Sequence, residues 1–144
     1  TRARGRRVRG LRRVLRLPHG DMDMFLGLRT VIYHAPDLAQ AKAWSASAFG
    51  VAPYFDQPFY VGFEIGGYEL GLDPNVAHVT VGNNAVAYWG VADIAAAHAH
   101  MLAHGAEPRY AIQDVGEGIK VATVADPFGN VIGIIENPHF AAKS

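Results

Sequence analysis

The run DPFGNVIGIIENP, residues 126–138, carries two signals that decide how the rest of the chain is read. Its first half is turn chemistry. Pro127 pre-sets a turn dihedral, Asp126 and Asn130 are short polar residues that bond nearby backbone, and Gly129 accepts a left-handed conformation. Its second half, Val131, Ile132, Ile134 and Ile135, is a β-branched run long enough for a buried strand and too short for a helix. Gly133 interrupts that strand. A glycine there weakens the strand and marks either a bulge or a place where another group comes close to the backbone. Strand parity puts Val131, Gly133 and Ile135 on one side.

Working outward, the strand closes a pattern that occurs twice. In the second half, AVAYWGV (85–91) reads as a strand, Asp93 as the N-cap of a helix over IAAAHAHMLAHG, and EPRYAIQDV, GIKVATVAD and NVIGIIEN as three further strands. In the first half, LRTVIYH (28–34) reads as a strand. Asp37 is an N-cap with Gln40 three residues on, and Gly50 stops the helix. PYFDQ, FYVGFEIG and YELGLD follow as strands, with Gly66-Gly67 a two-residue hairpin turn. Asp37 and Asp93 are 56 residues apart, as are Phe49 and Gly105 at the helix ends. Two copies of a βαβββ module make a duplicated domain and not a solenoid.

The expected fold is therefore α+β: a first module over residues 24–74, a linker over 75–84 with a weak VAHVTV strand, and a second module over 85–140. Curved mixed sheets should enclose a cup. On the second helix Ile94, Ala97, Met101 and Leu102 form the core stripe, and Trp89 packs toward the helix. In the first strand Arg29, Val31 and Tyr33 share one side, and Leu28, Thr30, Ile32 and His34 the other.

The 144 residues are half apolar, enough for one domain with a substantial core. The absence of Cys removes disulfides, thiolate metal sites and Cys nucleophiles. No apolar stretch approaches the roughly 18 residues that cross a bilayer, so no membrane insertion and a cytoplasmic setting are expected. The zero net charge hides an asymmetry. Eight of 13 basic residues lie at or before Arg16, and all 13 acidic residues at Asp21 or later. Three readings of residues 1–23 stand beside one another: an arm for phosphate or a membrane surface, an organelle-targeting segment, or a basic leader foreign to the fold, disordered or non-native. Nucleic acid is not the expected partner of the body.

The order of elements, with VIYHAPDLAQAKAW near the start and VATVADPFGNVIGIIENP near the end, resembles the vicinal oxygen chelate superfamily of glyoxalases, bleomycin-resistance proteins and extradiol dioxygenases. The resemblance covers about residues 26–140. It implies, in metal-using members, four ligands converging on a shared cup, one from the first and one from the last strand of each module. Matching the motifs puts these positions at Thr30, Glu69, Val86 and Gly133. Only Glu69 keeps a strong ligating group, whereas zinc sites need three or four donors. The expectation is a cup without the family metal or any other cofactor, and without the carboxylate that serves as general base in glyoxalase-type members.

Three function classes follow from that reading. The first is binding of a small, partly apolar molecule, with Thr30, Ile32, Tyr54, Tyr60, Val86, Tyr88, Val131 and Gly133 lining the cup. The second is a metal-free lyase or isomerase using Glu69 and His34 as catalytic groups, His34 standing where the resemblance implies a cation for a substrate carboxylate. The third is a metal-dependent lyase or dioxygenase with a divalent ion on relocated ligands such as Glu69, His34 and His78. A homodimer is expected in each case. His100 and His104 have the i,i+4 spacing of a zinc pair but lack the Glu of the metalloprotease motif, and read as a solvated helix face.

Overall fold

A computed structural model describes residues 24–82 and 84–140; the basic leader assigned to residues 1–23 lies outside the described residues. The first module runs β1 (Thr30–His34), α1 (Leu38–Phe49), β2 (Phe55–Gln57), β3 (Tyr60–Ile65) and β4 (Tyr68–Asp73). The second runs β5 (Tyr88–Gly90), α2 (Ile94–Ala103), β6 (Glu107–Gly116), β7 (Ile119–Ala125) and β8 (Val131–Glu136). Each module is a four-stranded sheet, in the orders β1-β4-β3-β2 and β5-β8-β7-β6. The first and last strands of each module pair in parallel and the remaining pairs are antiparallel. This is the α+β, twice βαβββ architecture expected from the repeat.

Local chemistry sets the element ends. Asp37 Oδ1 accepts from the Gln40 N–H at 3.0 Å and Asp93 Oδ1 from the Ala96 N–H at 3.1 Å, each satisfying a donor that the first helical turn leaves free. Gly50 ends α1 at φ +69°. Gly66 and Gly67, at φ +59° and +88°, supply the two left-handed residues that a two-residue hairpin needs.

Two expectations require correction. The VAHVTV strand does not form, because Asp73 Oδ1 accepts from the Asn75 N–H and Asn75 Oδ1 from the Ala77 N–H, turning the chain at the point where a strand would begin. The strand expected over 85–91 shrinks to Tyr88–Gly90, the stretch in register with β8.

Strand alternation sorts the remaining residues between helix and cup. Tyr33, Val61, Phe63, Leu70 and Leu72 are buried beneath α1, and Ile94 and Met101 pack α2 onto Ala122, Val124, Ile132 and Ile134. Truncating a side chain as large and buried as Phe63 to Ala costs about 3–5 kcal/mol. Thr30 and Ile32 lie on the opposite, exposed side.

The modules meet along their edge strands and helix ends. Trp89 stacks edge-on against Phe49 at 5.5 Å, and its Nε1–H donates to the Tyr33 hydroxyl at 3.1 Å. Trp44 Nε1–H donates to the His104 carbonyl at 2.7 Å. His100 Nε2 lies 2.7 Å from the Ala48 carbonyl, and the His100 and His104 rings sit 4.1 Å apart. The histidine pair is therefore part of the inter-module contact and not merely a solvated face.

The DPFGN turn joins the same seam. Asp126 is 8% exposed and accepts from the N–H groups of Phe128 and Asn130 and from Asn130 Nδ2, which also donates to the His34 carbonyl at 3.1 Å. Burial raises the Asp126 pKa despite these donors. The turn thus ends β7, starts β8 and fastens the second module to the end of β1. No helix among the described residues is long and apolar enough to cross a membrane.

Candidate functional site

β1 and β4 run in parallel with Thr30 opposite Glu69, so both side chains emerge on the cup side at the same level. Thr30 Oγ1 donates to Glu69 Oε1 at 2.8 Å, Tyr60 Oη–H donates to the same oxygen at 2.6 Å, and Tyr54 Oη–H donates to Oε2 through a short bond. One carboxylate thus receives three hydroxyls from β1, β3 and the loop before β2.

Two glycines permit that convergence. Gly62 and Gly71 are cross-strand partners on β3 and β4. A Cβ on Gly71 would fall 2.0 Å from the Tyr60 hydroxyl oxygen, and one on Gly62 would fall 2.9 Å from Glu69 Oε2 and 3.0 Å from the Tyr54 ring. The missing side chains form a trough in which both tyrosines lie down on the sheet and point at Glu69.

The electrostatics follow from those bonds. Donation by Tyr54, then Tyr60 and Thr30, outweighs partial burial and lowers the Glu69 pKa, so the group is an anion at neutral pH. Burial and the adjacent carboxylate push Tyr60 up to about 12, and the bond to Glu69 raises Tyr54. Both phenols remain donors.

Thr30 and Glu69 open onto a cavity of about 370 Å³ between β1 and β5, which Val86, Tyr88 and Trp89 line from β5 and its approach, together with Leu28 and Phe140. Thr30, Glu69, Val86 and Tyr88, all singled out in the sequence, therefore share one space. Ile32, Val131, Tyr54 and Tyr60 lie outside its wall, the two tyrosines reaching it only through Glu69. Gly133 is beneath Tyr88, its partner in register: a Cβ there would fall 2.6 Å from the Tyr88 ring and 2.8 Å from the Ala87 carbonyl oxygen. The strand glycine marks close packing of Tyr88, not an open gap. His34 pairs with Asp73, four positions along from the Thr30–Glu69 pair, or roughly 13 Å at strand spacing, so Glu69 and His34 do not face one reacting atom. Leu28, Trp89 and Phe140 were not expected at the wall. Trp89 packs on Phe49 and the core, as parity predicts, and also borders the cavity because β5 is an edge strand.

Two βαβββ modules with a carboxylate-bearing cavity between their first strands define a paired-module α+β fold. Residues 27–134 match the Glyoxalase/Bleomycin resistance protein/Dioxygenase superfamily, and the chain belongs to that superfamily. Among solved structures it is similar to a glyoxalase-related enzyme from Fulvimarina pelagi, at 19% identity and TM-score 0.65 over 83% of this chain and 96% of that one. A lactoylglutathione lyase from Agrobacterium tumefaciens is similar at 19% identity and TM-score 0.65, over 83% and 99% of the two chains. TioX from Micromonospora sp. ML1 is similar at 18% identity and TM-score 0.62, over 76% and 98%. No curated protein matches the chain.

The metal implied for the glyoxalases and dioxygenases does not fit these residues. Val86 offers no donor, position 133 has no room for a side chain, and Thr30 already donates to Glu69. Three of the roughly four acceptor directions of the Glu69 carboxylate are taken by hydroxyls. The relocated set of Glu69, His34 and His78 does not assemble either, since no three His, Asp or Glu side chains cluster for an ion among the described residues.

Proposed function

We propose that this protein binds a small, partly apolar molecule in the cavity between β1 and β5, without a metal, as a homodimer. The observation that carries the reading is Glu69, held as an anion by three hydroxyls on the wall of a cavity otherwise lined mainly by apolar and aromatic residues. At about 370 Å³ the cavity lies within the range of small-ligand sites. The separation of Glu69 from His34 argues against the lyase or isomerase that would use both. The dimer is supported by β6, a sheet edge with all ten residues exposed, and by Met24, Phe25, Leu26 and Leu28, each at least 71% exposed.

Equilibrium dialysis with naphthalenemethanol, a neutral probe, tests the binding reading. Saturable uptake at one site per chain is expected, and Val86→Trp, which fills the cavity, abolishes it. Uptake that never saturates, or that Val86→Trp leaves intact, contradicts the proposal. Light scattering should give twice the 15.5 kDa of one chain.

A further inference from the structure

Glu69 is a carboxylate without a countercharge. Its three partners are neutral hydroxyls, and among the described residues no Lys, Arg or His pairs with it. Arg29, the cation on the cavity wall, is turned away onto the carbonyls of Leu26 and Leu28 at 3.2 and 3.3 Å. Neutral donors stabilise the charge but do not cancel it, so the cavity carries a net negative group among mainly apolar lining residues.

The three hydroxyls are not equally held. Thr30 is fixed by the β1–β4 pairing, and Tyr60 is partly buried in the trough over Gly71, both on Oε1. Tyr54 stands alone on Oε2, is 63% exposed, and precedes β2 in a loop. Tyr54 therefore holds the side of the carboxylate that lies over Gly62, away from the cavity, and Thr30 the side toward it.

We propose that the ligand is an organic cation, a protonated amine on an apolar, preferably aromatic, body. Its ammonium group binds the Glu69 carboxylate where it borders the cavity beside Thr30, and its body lies against Val86 and Tyr88. This inference rests on the binding reading above and narrows it to one ligand chemistry.

The test is a matched trio of probes, naphthylmethylamine, naphthalenemethanol and naphthoate, titrated into the full chain by calorimetry. The amine is expected to bind about tenfold or more tightly than the alcohol, in line with a charge-assisted hydrogen bond, and the carboxylate most weakly. Glu69→Gln removes the preference for the amine. Should Glu69→Gln fail to fold, as circular dichroism would reveal, the order of the trio on the native chain decides. An alcohol that binds as well as the amine, or a preference that survives Glu69→Gln, overturns the cation inference and leaves the cavity reading standing. Failure of all three probes to bind overturns both.

Discussion

Replacing Gly71 by Ala isolates the arrangement on which the site depends. The added Cβ would lie 2.0 Å from the Tyr60 hydroxyl oxygen and 2.6 Å from the ring carbon that bears it, so Tyr60 must leave the trough and give up its bond to Glu69. Loss of a hydrogen bond to a charged group costs about 1.5–3 kcal/mol. Against this, removing a glycine from a site whose backbone Ala can adopt stabilises by about 0.4–1 kcal/mol through the unfolded chain. The loss is larger, and a net destabilisation of about 1–2 kcal/mol is expected, lowering Tm by roughly 3–6 °C for a chain of this size. Thermal denaturation reads the stability, and tyrosinate absorbance during alkaline titration reads Tyr60, whose transition near about 12 should move toward the ordinary value of 10.0. In a Tyr60→Leu background the Gly71→Ala change should become neutral or stabilising, because the clashing ring is gone. A Gly71→Ala protein that melts at or above the native chain, with the high-pH transition in place, would refute the reasoning.

Three further outcomes are expected. Asn130→Ala, which removes the Nδ2 donations to Asp126 Oδ2 and to the His34 carbonyl and keeps the backbone one, should cost about 2–4 kcal/mol in urea unfolding; a loss below about 0.5 kcal/mol would mean that the seam does not depend on this side chain. Gly133→Ala should destabilise by about 1–3 kcal/mol and expel Tyr88 from its seat, since the Ala87 carbonyl oxygen at 2.8 Å belongs to the backbone and cannot rotate away; an unchanged melting curve contradicts that packing. The Tyr60 pKa is raised on folding, so its stabilisation is complete below pH 10.0 and lost as pH rises through about 12. The stability difference between the native chain and Tyr60→Phe should therefore shrink over that interval, and a constant difference would show that Tyr60 does not gain its proton affinity from folding.

Much of the fold was legible because its signals are local. Asp37 and Asp93 cap helices through bonds to residues three positions on, Gly66-Gly67 turns within two residues, and strand alternation separates core from cup in β1 and β8. The missing 76–81 strand shows the limit: its β-branched pattern is real, but two side-chain-to-backbone bonds at Asp73 and Asn75 turn the chain first. The site was legible at its centre and not around it. Thr30, Glu69 and Val86 follow from the family resemblance, and the meeting of Tyr54 and Tyr60 on Glu69 does not. That meeting depends on the facing of Gly62 and Gly71 across two strands, which sequence spacing does not encode without the register. Gly133 has the same explanation, since its meaning depends on Tyr88 lying directly opposite.

The most direct test of the account is metal content measured on untagged protein purified without chelator, repeated after incubation with zinc, nickel, manganese and ferrous ions. With the Glu69 carboxylate occupied by Thr30, Tyr54 and Tyr60, no ion should be retained in stoichiometric amount and Glu69→Gln should change nothing. One tightly held ion per chain that disappears in Glu69→Gln would contradict it.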